Sequence, residues 1–401
     1  MMNKLEQSIP LFKVFMAPTA KDKVGEVLES GYIGQGPIVD EFENQLGEYF
    51  GNKKVVTTNA GTSALHLALH LLKKPKEDWH ENVYDGIAWA HHNWPGIQDG
   101  DEVLATPLTC TASNWPIVAN NLKIKWVDID PTTLNMDLED LERKMTPKTK
   151  AIMGVHWGGY PLDLDKIQDI KKRFREQHGW APVLIEDGAH SIGTKYKGKY
   201  LGNHGNFVMN SFQAIKHITS VDGGLLYCPH EELYERAKLL RWYGIDRNPK
   251  GRTDFRCEAD ITEWGFKFHM NDVCATVGIE NLKHFDTIVN RHKENAKFYD
   301  EQLKDIDGVT LLKREEGHDS AFWIYSILVE NRDGFYKHMY ENGIAVSQVH
   351  ERNDKHTCVR EFVSNLPNLE RTIGKVVSIP VGWWVSDEDR EYIVETIKRG
   401  W

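Results

Sequence analysis

The sequence predicts an α/β fold in two parts: a large domain over residues 1–270 on a mostly parallel, mixed sheet, then a small C-terminal α+β domain over 271–401 that opens on a long linking helix. Three observations point there. The chain has 401 residues, beyond the size at which one hydrophobic core usually keeps growing. From about residue 100, short apolar runs alternate with amphipathic stretches, as strands alternate with helices in an α/β sheet. After about residue 270 this gives way to one long helical pattern followed by short strands and helices.

The runs DEVLAT (101–106), IKWVDID (124–130), KAIMGVH (150–156), PVLIEDGA (182–189), FVMNSF (207–212) and GLLYCP (224–229) read as buried strands. Between them, Leu138, Leu141 and Met145 share a helical face, and so do Leu164, Ile167, Ile170 and Phe174 in a helix that ends near Gly179. Asn271 and Asp272 are placed to cap a long helix with Val277, Leu282, Phe285, Ile288 and Val289 on its apolar side, continuing to about Leu303. Beyond it lie a strand-like AFWIYSILVE (321–330), a helix over Asp333 to Glu341, a strand-like IAVSQVH (344–350), and a last helix after Ser386 with Asp389 spaced for a capping box. A stretch from about Lys76 to Gly100, carrying Trp79, Trp89, Trp94 and the pair His91–His92, interrupts the alternation and reads as a surface elaboration.

Composition excludes several function classes. Hydrophobic residues make up 40% and charged residues 27%, ordinary globular usage. The five cysteines (Cys110, Cys228, Cys257, Cys274, Cys358) are odd in number and never spaced as C-x-x-C, against a disulfide framework or a zinc ribbon, so a reducing cytoplasm is expected. The first thirteen residues are too polar for a signal peptide, and no apolar run approaches the roughly 18 to 20 residues that span a bilayer. A net charge of −10 without a basic block argues against nucleic acid. The histidines at 91 and 92 have no acidic or cysteine partner at ligand spacing, so no metal site is expected.

Chemistry is expected at strand ends. Gly61, Thr62 and Ser63 open an apolar helix whose free N–H groups and hydroxyls suit a phosphate, although a plain capped helix has the same sequence. Asp187 closes an apolar strand, where a lone carboxylate needs a cationic or hydrogen-bonding partner; a structural ion pair would also satisfy it. Ser211 and Lys216 follow another strand, and a desolvated lysine there would present a free amine for Schiff-base chemistry. A phosphate cup, a pyridinium partner and a Schiff-base lysine are together what pyridoxal phosphate requires.

In that order these segments resemble the DegT/DnrJ/EryC1/StrS family of sugar aminotransferases. The resemblance is carried by SGYIGQGPIVDEFENQLGEYFG (30–51), NAGTSALHLAL (59–69), VDIDPTTLNMD (127–137) and KAIMGVHWGGYPLDLD (150–165), then by IEDGAHSIGTKYKG (185–198), NSFQAIKHITSVDGG (210–224) and GFKFHMNDVCATVG (265–278). It implies a fold-type I aminotransferase architecture that uses pyridoxal 5'-phosphate, with pyridoxamine phosphate as the intermediate form. It assigns Lys216 to the Schiff base and to proton transfer, Asp187 to the pyridine nitrogen, and His190 to the neighbourhood of the ring hydroxyl. Gly61, Thr62, Ser63 and Ser211 fall to the phosphate cup, and Lys267 to a phosphate contact reaching from the neighbouring subunit, hence a homodimer with composite active sites. The implied substrates are L-glutamate and a keto sugar, foremost a nucleotide-linked 4-keto-6-deoxyhexose.

The sequence departs from the family in two places. Where the family brings an aromatic ring over the cofactor, PLTCTASNW (107–115) has Cys110, with Trp115 a few residues later, and no stacking residue is assigned; the insertion at about 76–98 is the second departure. A branch with histidine in place of the lysine performs dehydration, but Lys216 is present here, followed by His217, so transamination is the expected reaction. A 3-keto or non-nucleotide keto sugar as acceptor, a sugar dehydratase, and a non-catalytic cofactor-binding sensor are the alternatives. Specificity is expected from loops 30–37 and 345–360, where His350, Arg352 and Lys355 are candidate contacts.

Overall fold

The structure is a computed structural model that describes residues 8–74, 94–247 and 260–401. Trp79, Trp89, His91 and His92 of the interrupting stretch, and Cys257, lie outside the described residues; Trp94 lies within them and packs edge-on against Trp180.

In chain order the elements are α1 (Ala20–Ser30), α2 (Pro37–Phe50), β1 (Val55–Thr58), α3 (Gly61–Leu71), β2 (Glu102–Ala105), α4 (Thr111–Ala119), β3 (Lys123–Trp126), α5 (Leu138–Lys144), β4 (Thr149–Val155), α6 (Leu164–His178) and β5 (Val183–Asp187). Then come β6 (Lys195–Tyr196), β7 (Lys199–Tyr200), β8 (Phe207–Ser211), β9 (Gly224–Tyr227), α7 (Glu231–Leu240), α8 (Asp272–Leu282), α9 (Phe285–Leu303), β10 (Val309–Leu311), β11 (His318–Asp319) and β12 (Tyr325–Val329). The chain closes with α10 (Arg332–Glu341), α11 (Pro367–Thr372), β13 (Val376–Ile379) and α12 (Asp387–Lys398).

The main sheet has seven strands in the order β1-β9-β8-β5-β4-β2-β3. From β8 to β3 neighbours run parallel, while β9 is antiparallel to both β8 and β1. Both faces of the central strands are covered, and those strands are buried along their length, whereas the edge strand β3 (KIKW) leaves Lys123 exposed. Side chains alternate between the faces along each strand. Val183 and Ile185 of β5 therefore join α3 residues such as Ala64 and Leu65 in one core, and Leu184 joins Phe42 of α2 and Ile167 and Ile170 of α6 in the other. Each such fully buried aliphatic side chain contributes roughly 1.5–3 kcal/mol.

A second sheet, β10-β12-β13, is antiparallel and packs against α9, α10 and α12 around Tyr299, Phe335, Ile379 and Ile393. Ile9 joins that cluster and bridges to Ile344. Asp137, Asp163 and Asn271 cap α5, α6 and α8, and Ser386 with Asp389 forms the expected capping box on α12. Asp272 does something else: its carboxylate accepts from the N–H groups of Gly36 and Val39 and so caps the start of α2 across the core.

Two expectations are corrected. The long helix from Asn271 to about Leu303 is two helices, broken at His284, whose φ of −105° and ψ of 3° leave the helical region. Leu282, Phe285 and Ile288 are spaced three apart, so the periodicity carries straight through the break. The run IAVSQVH is no strand: only Ile344 and Ser347 make isolated bridges, and Val349, at φ 70°, turns the chain away from β13 toward His350. The strand β1, four residues of VVTT, was not read from the sequence.

Because β5 and β8 are parallel neighbours, Asp187 and Ser211 end at the same sheet edge. Ser211 pairs with Gly224, and Gly224 with Thr58, so the loop from β1 into α3 opens there as well. In open α/β sheets this carboxyl edge is where ligands bind.

Candidate active site

Helix α3 begins at Gly61 without a side-chain cap: Ala60 precedes it in extended conformation, and Ser63 Oγ donates to Asn59 Oδ1 instead. Its first N–H groups have no acceptor within the helix. A Cβ on Gly61 would lie 2.9 Å from Met209 Sδ and 3.3 Å from Ser211 Cβ, and a Cβ on Gly224 would lie 2.6 Å from Gly61 Cα. Glycine at these two positions is what lets the helix end come down onto the ends of β8 and β9. Ser211 is buried there and Thr62 is exposed.

Asp187 is buried at the end of β5. One carboxylate oxygen accepts from Ser113 Oγ on α4, and the other accepts from Ala189 N–H at 3.0 Å. Burial pushes its carboxyl above the ordinary range, while these two hydrogen bonds and the nearby Lys216 and His156 oppose the rise. Among the described residues no cation lies within ion-pair distance of it. Behind it, His156 Nε2 and Glu186 Oε2 are 2.9 Å apart and fully buried, and Asn206 donates to the other Glu186 oxygen.

Lys216 sits in the turn after β8, half-buried, its Nζ 3.3 Å from the centre of the Trp323 ring. Burial pushes its ammonium down to about 7, against the pull of Asp187 and Cys110. The sequence therefore places a lysine where a substantial fraction is the free amine near neutral pH. His190 stacks on Trp323 with ring centres 4.0 Å apart. Its Nδ1 accepts from Gly158 N–H, so the neutral ring carries its proton on Nε2, which faces His350 Nε2 at 3.3 Å. Burial holds His190 well below its usual value and lowers His350 to about 4, so both rings are neutral donors and acceptors rather than cations.

The segment after His350 runs over the loop of Cys110: Asn353 N–H donates to the Pro107 carbonyl, and Leu108 bridges to Arg352. Arg352 is buried and paired with Asp354 and Glu370, which makes it a brace for this loop. Lys355 is exposed, and Trp115 packs on His356. Lys267 is exposed on a segment whose backbone meets Asn59, two residues before the start of α3: Asn59 N–H donates to the Phe268 carbonyl and its side chain to that of Lys267.

A comparison with known families matches residues 16–79 and 84–398 to the DegT/DnrJ/EryC1/StrS aminotransferase family. The chain belongs to that family. Among solved structures, this aminotransferase is similar to AtS13 from Actinomadura melliaura, at 46% identity and a TM-score of 0.90 over 99% of this chain and 100% of that one. The sugar aminotransferase CalS13 from Micromonospora echinospora follows at 42% identity and 0.88, over 98% of this chain and 100% of that one. Spr1654 from Streptococcus pneumoniae, in its PMP form, is 25% identical with a TM-score of 0.86 over 98% of both chains.

Sequence reasoning about this aminotransferase missed Ser113 and Trp323. Ser113 lies within PLTCTASNW, but only the fold turns the first turn of α4 toward the end of β5. Trp323 lies inside a run that reads as strand, and the strand proper starts only at Tyr325. Among the described residues no helix is long and apolar enough to cross a membrane.

Proposed function

We propose that this aminotransferase binds pyridoxal phosphate through Lys216 and uses it to move the amino group of L-glutamate to the ketone of a sugar, with a nucleotide-linked 4-keto-6-deoxyhexose as acceptor. The observation that carries the reading is the meeting of three unlike groups at one sheet edge: a half-buried lysine with a lowered pKa, a buried carboxylate with no ion-pair partner among the described residues, and an uncapped helix end closed in by Gly61 and Gly224. These are the groups the cofactor needs. The likeness to the sugar aminotransferase CalS13 and to Spr1654 in its PMP form supports the same direction.

When bound, the cofactor supplies the electron sink and carries the amino group between donor and acceptor. The chain's own residues do the rest. The N–H groups of Gly61, Thr62 and Ser63, with the Ser211 hydroxyl, would hold the phosphate. Asp187, held in place by Ser113 and Ala189, would keep a proton on the ring nitrogen. His190 would offer its Nε2 proton to the ring hydroxyl. Lys216, once its amine is released, would carry the proton between carbons, a role that suits a pKa near the working pH.

We infer that residues 1–270 form the cofactor-binding domain and 271–401 the second domain, supported by the separate core around the second sheet. We also infer a homodimer in which Lys267 reaches the partner's phosphate site, acting in the cytoplasm. The exposed Lys267, on a segment that meets Asn59 beside the start of α3, supports this reading.

The test is the absorption spectrum of the purified protein with pyridoxal phosphate, beside Lys216→Ala, before and after L-glutamate. The wild type is expected to show a visible band that glutamate bleaches, and the variant to lack it. A wild-type protein with no band after incubation with pyridoxal phosphate would overturn the proposal.

A further inference from the structure

We propose that Trp323 is the positioning residue for the reactive amine: it holds Lys216 Nζ against its ring and ties that ring to the turn that carries the lysine. The inference rests on the reading that Lys216 is the cofactor lysine, and it names the residue that sets where the amine waits.

The contact is short, 3.3 Å from Nζ to the ring centre. Among the described residues Lys216 Nζ makes no ion pair and no hydrogen bond, and the indole face is the contact that holds it. Trp323 is itself only 2% exposed and fixed on several sides. Its Nε1–H donates to the Ile215 carbonyl at 2.9 Å, and that carbonyl belongs to the peptide leading into Lys216. His190 and Phe12 stack on it at 4.0 and 5.1 Å.

The link also runs the other way. His217, the residue after Lys216, has its Nε2 at 3.1 Å from the Ala321 carbonyl, and His292 Nδ1 lies 2.8 Å from that of Phe322. Burial pushes both imidazoles below their usual range, His292 to about 4, so each is a neutral ring with a proton to donate to a carbonyl. The segments 215–217 and 321–323 thus clasp each other from both sides. Phe322 sits at φ 52°, a left-handed conformation that a non-glycine residue keeps only when its surroundings hold it. Thr194 and Ser320 accept from the N–H groups of Ala321 and Phe322, and a Cβ on Gly159 would come within 3.1 Å of Phe322 N. This strained turn exists to deliver one side chain, and that side chain lies over Lys216.

The ring suits the task because an indole face attracts an ammonium without pairing with it as a carboxylate does. The amine stays free to leave. The other titratable groups around it are Asp187 on β5, Cys110 before α4, and the buried imidazoles of His190, His217 and His350. Of these, His190 and His350 also stack with Trp323, whereas Asp187, Cys110 and His217 are held by contacts of their own.

The test measures how fast apoprotein captures pyridoxal phosphate as a function of pH, in wild type, Trp323→Phe and Trp323→Leu. Capture needs the neutral amine, so the midpoint reports the lysine. Losing the aromatic face in Trp323→Leu should move the midpoint to lower pH by about half a unit to one unit. Trp323→Phe, which keeps a ring and much of the packing, should shift it in the same direction by less. If both variants capture the cofactor with the wild-type midpoint, or if the midpoint rises, Trp323 is only packing and the inference fails. If Trp323→Leu does not fold, Trp323→Phe decides by the same criterion. A visible band that persists in Lys216→Ala would instead remove the reading beneath it, and the inference with it.

Discussion

Asp187 is the residue whose state decides the most. Burial pushes its carboxyl up, and two donors, Ser113 Oγ and Ala189 N–H, oppose that. Removing one donor by Ser113→Ala should raise the carboxyl further, because a hydrogen bond to the charged form lowers a pKa. The expected result is a weaker hold on pyridoxal phosphate by about tenfold to a hundredfold, with the acid side of the binding profile moved to higher pH. Equilibrium titration of apoprotein across pH measures both. An unchanged affinity with an unchanged acid limb would mean that the ionised carboxylate is not the cofactor's partner. At this scale legibility divides by how local the signal is. Asp187, Lys216 and the glycine at 61 stand out because a charge or a glycine at a strand end is unusual whatever surrounds it. Ser113 and Trp323 do not: a serine in the first turn of a helix and a tryptophan in an apolar run are ordinary until the fold brings them to β5 and to Lys216.

Helix α3 shows the same division at the scale of elements. Its open N-terminus was legible in the sequence, but its C-terminus is closed by a residue far along the chain. Arg236 of α7 donates to the carbonyls of Leu71 and Lys73 and pairs with Glu263. Burial pushes the Glu263 carboxyl up, yet hydrogen bonds from Arg236 and His70 outweigh it and hold it at about 2. A carboxyl lowered on folding stabilises the fold above its unfolded pKa, and that stability is lost as pH falls through the folded one. Discounted for the partial exposure of Glu263, the expected contribution at neutral pH is on the order of 1–2 kcal/mol, lost between roughly pH 4.5 and pH 2. Glu263→Gln should lower stability by about that amount at pH 7, and the gap from wild type should close toward pH 2. Urea unfolding at both pH values measures it, and equal midpoints at pH 7 would show that the pair contributes nothing. The same logic explains which elements could be read. Asp137, Asp163 and Ser386 lie in sequence beside the helices they cap, whereas the break at His284 and the departure of residues 344–350 from β13 leave the local apolar pattern unchanged and so give no sign in the sequence.

For the whole molecule the open question is whether one chain makes a complete site. Lys267 is exposed, yet its backbone runs beside Asn59 at the start of α3, so two readings follow: it serves its own helix end or that of a partner. Two variants separate these cases. On the proposed reading, Lys216→Ala removes the cofactor lysine and Lys267→Ala weakens a phosphate contact. If Lys267 acts across a two-fold interface, a mixed dimer holds one site in which both lysines are intact and one in which both are missing. Unfolding, mixing and reassembling the two variants in equal amounts should then make half the dimers mixed and recover about a quarter of wild-type sites, from two preparations that are each impaired. If Lys267 serves its own chain, every site in every dimer lacks one lysine, and mixing restores nothing above the average of the two. Titrating activity against the mixing ratio sharpens the distinction, since complementation across an interface peaks at equal amounts, while a same-chain site gives a straight line between the two parents.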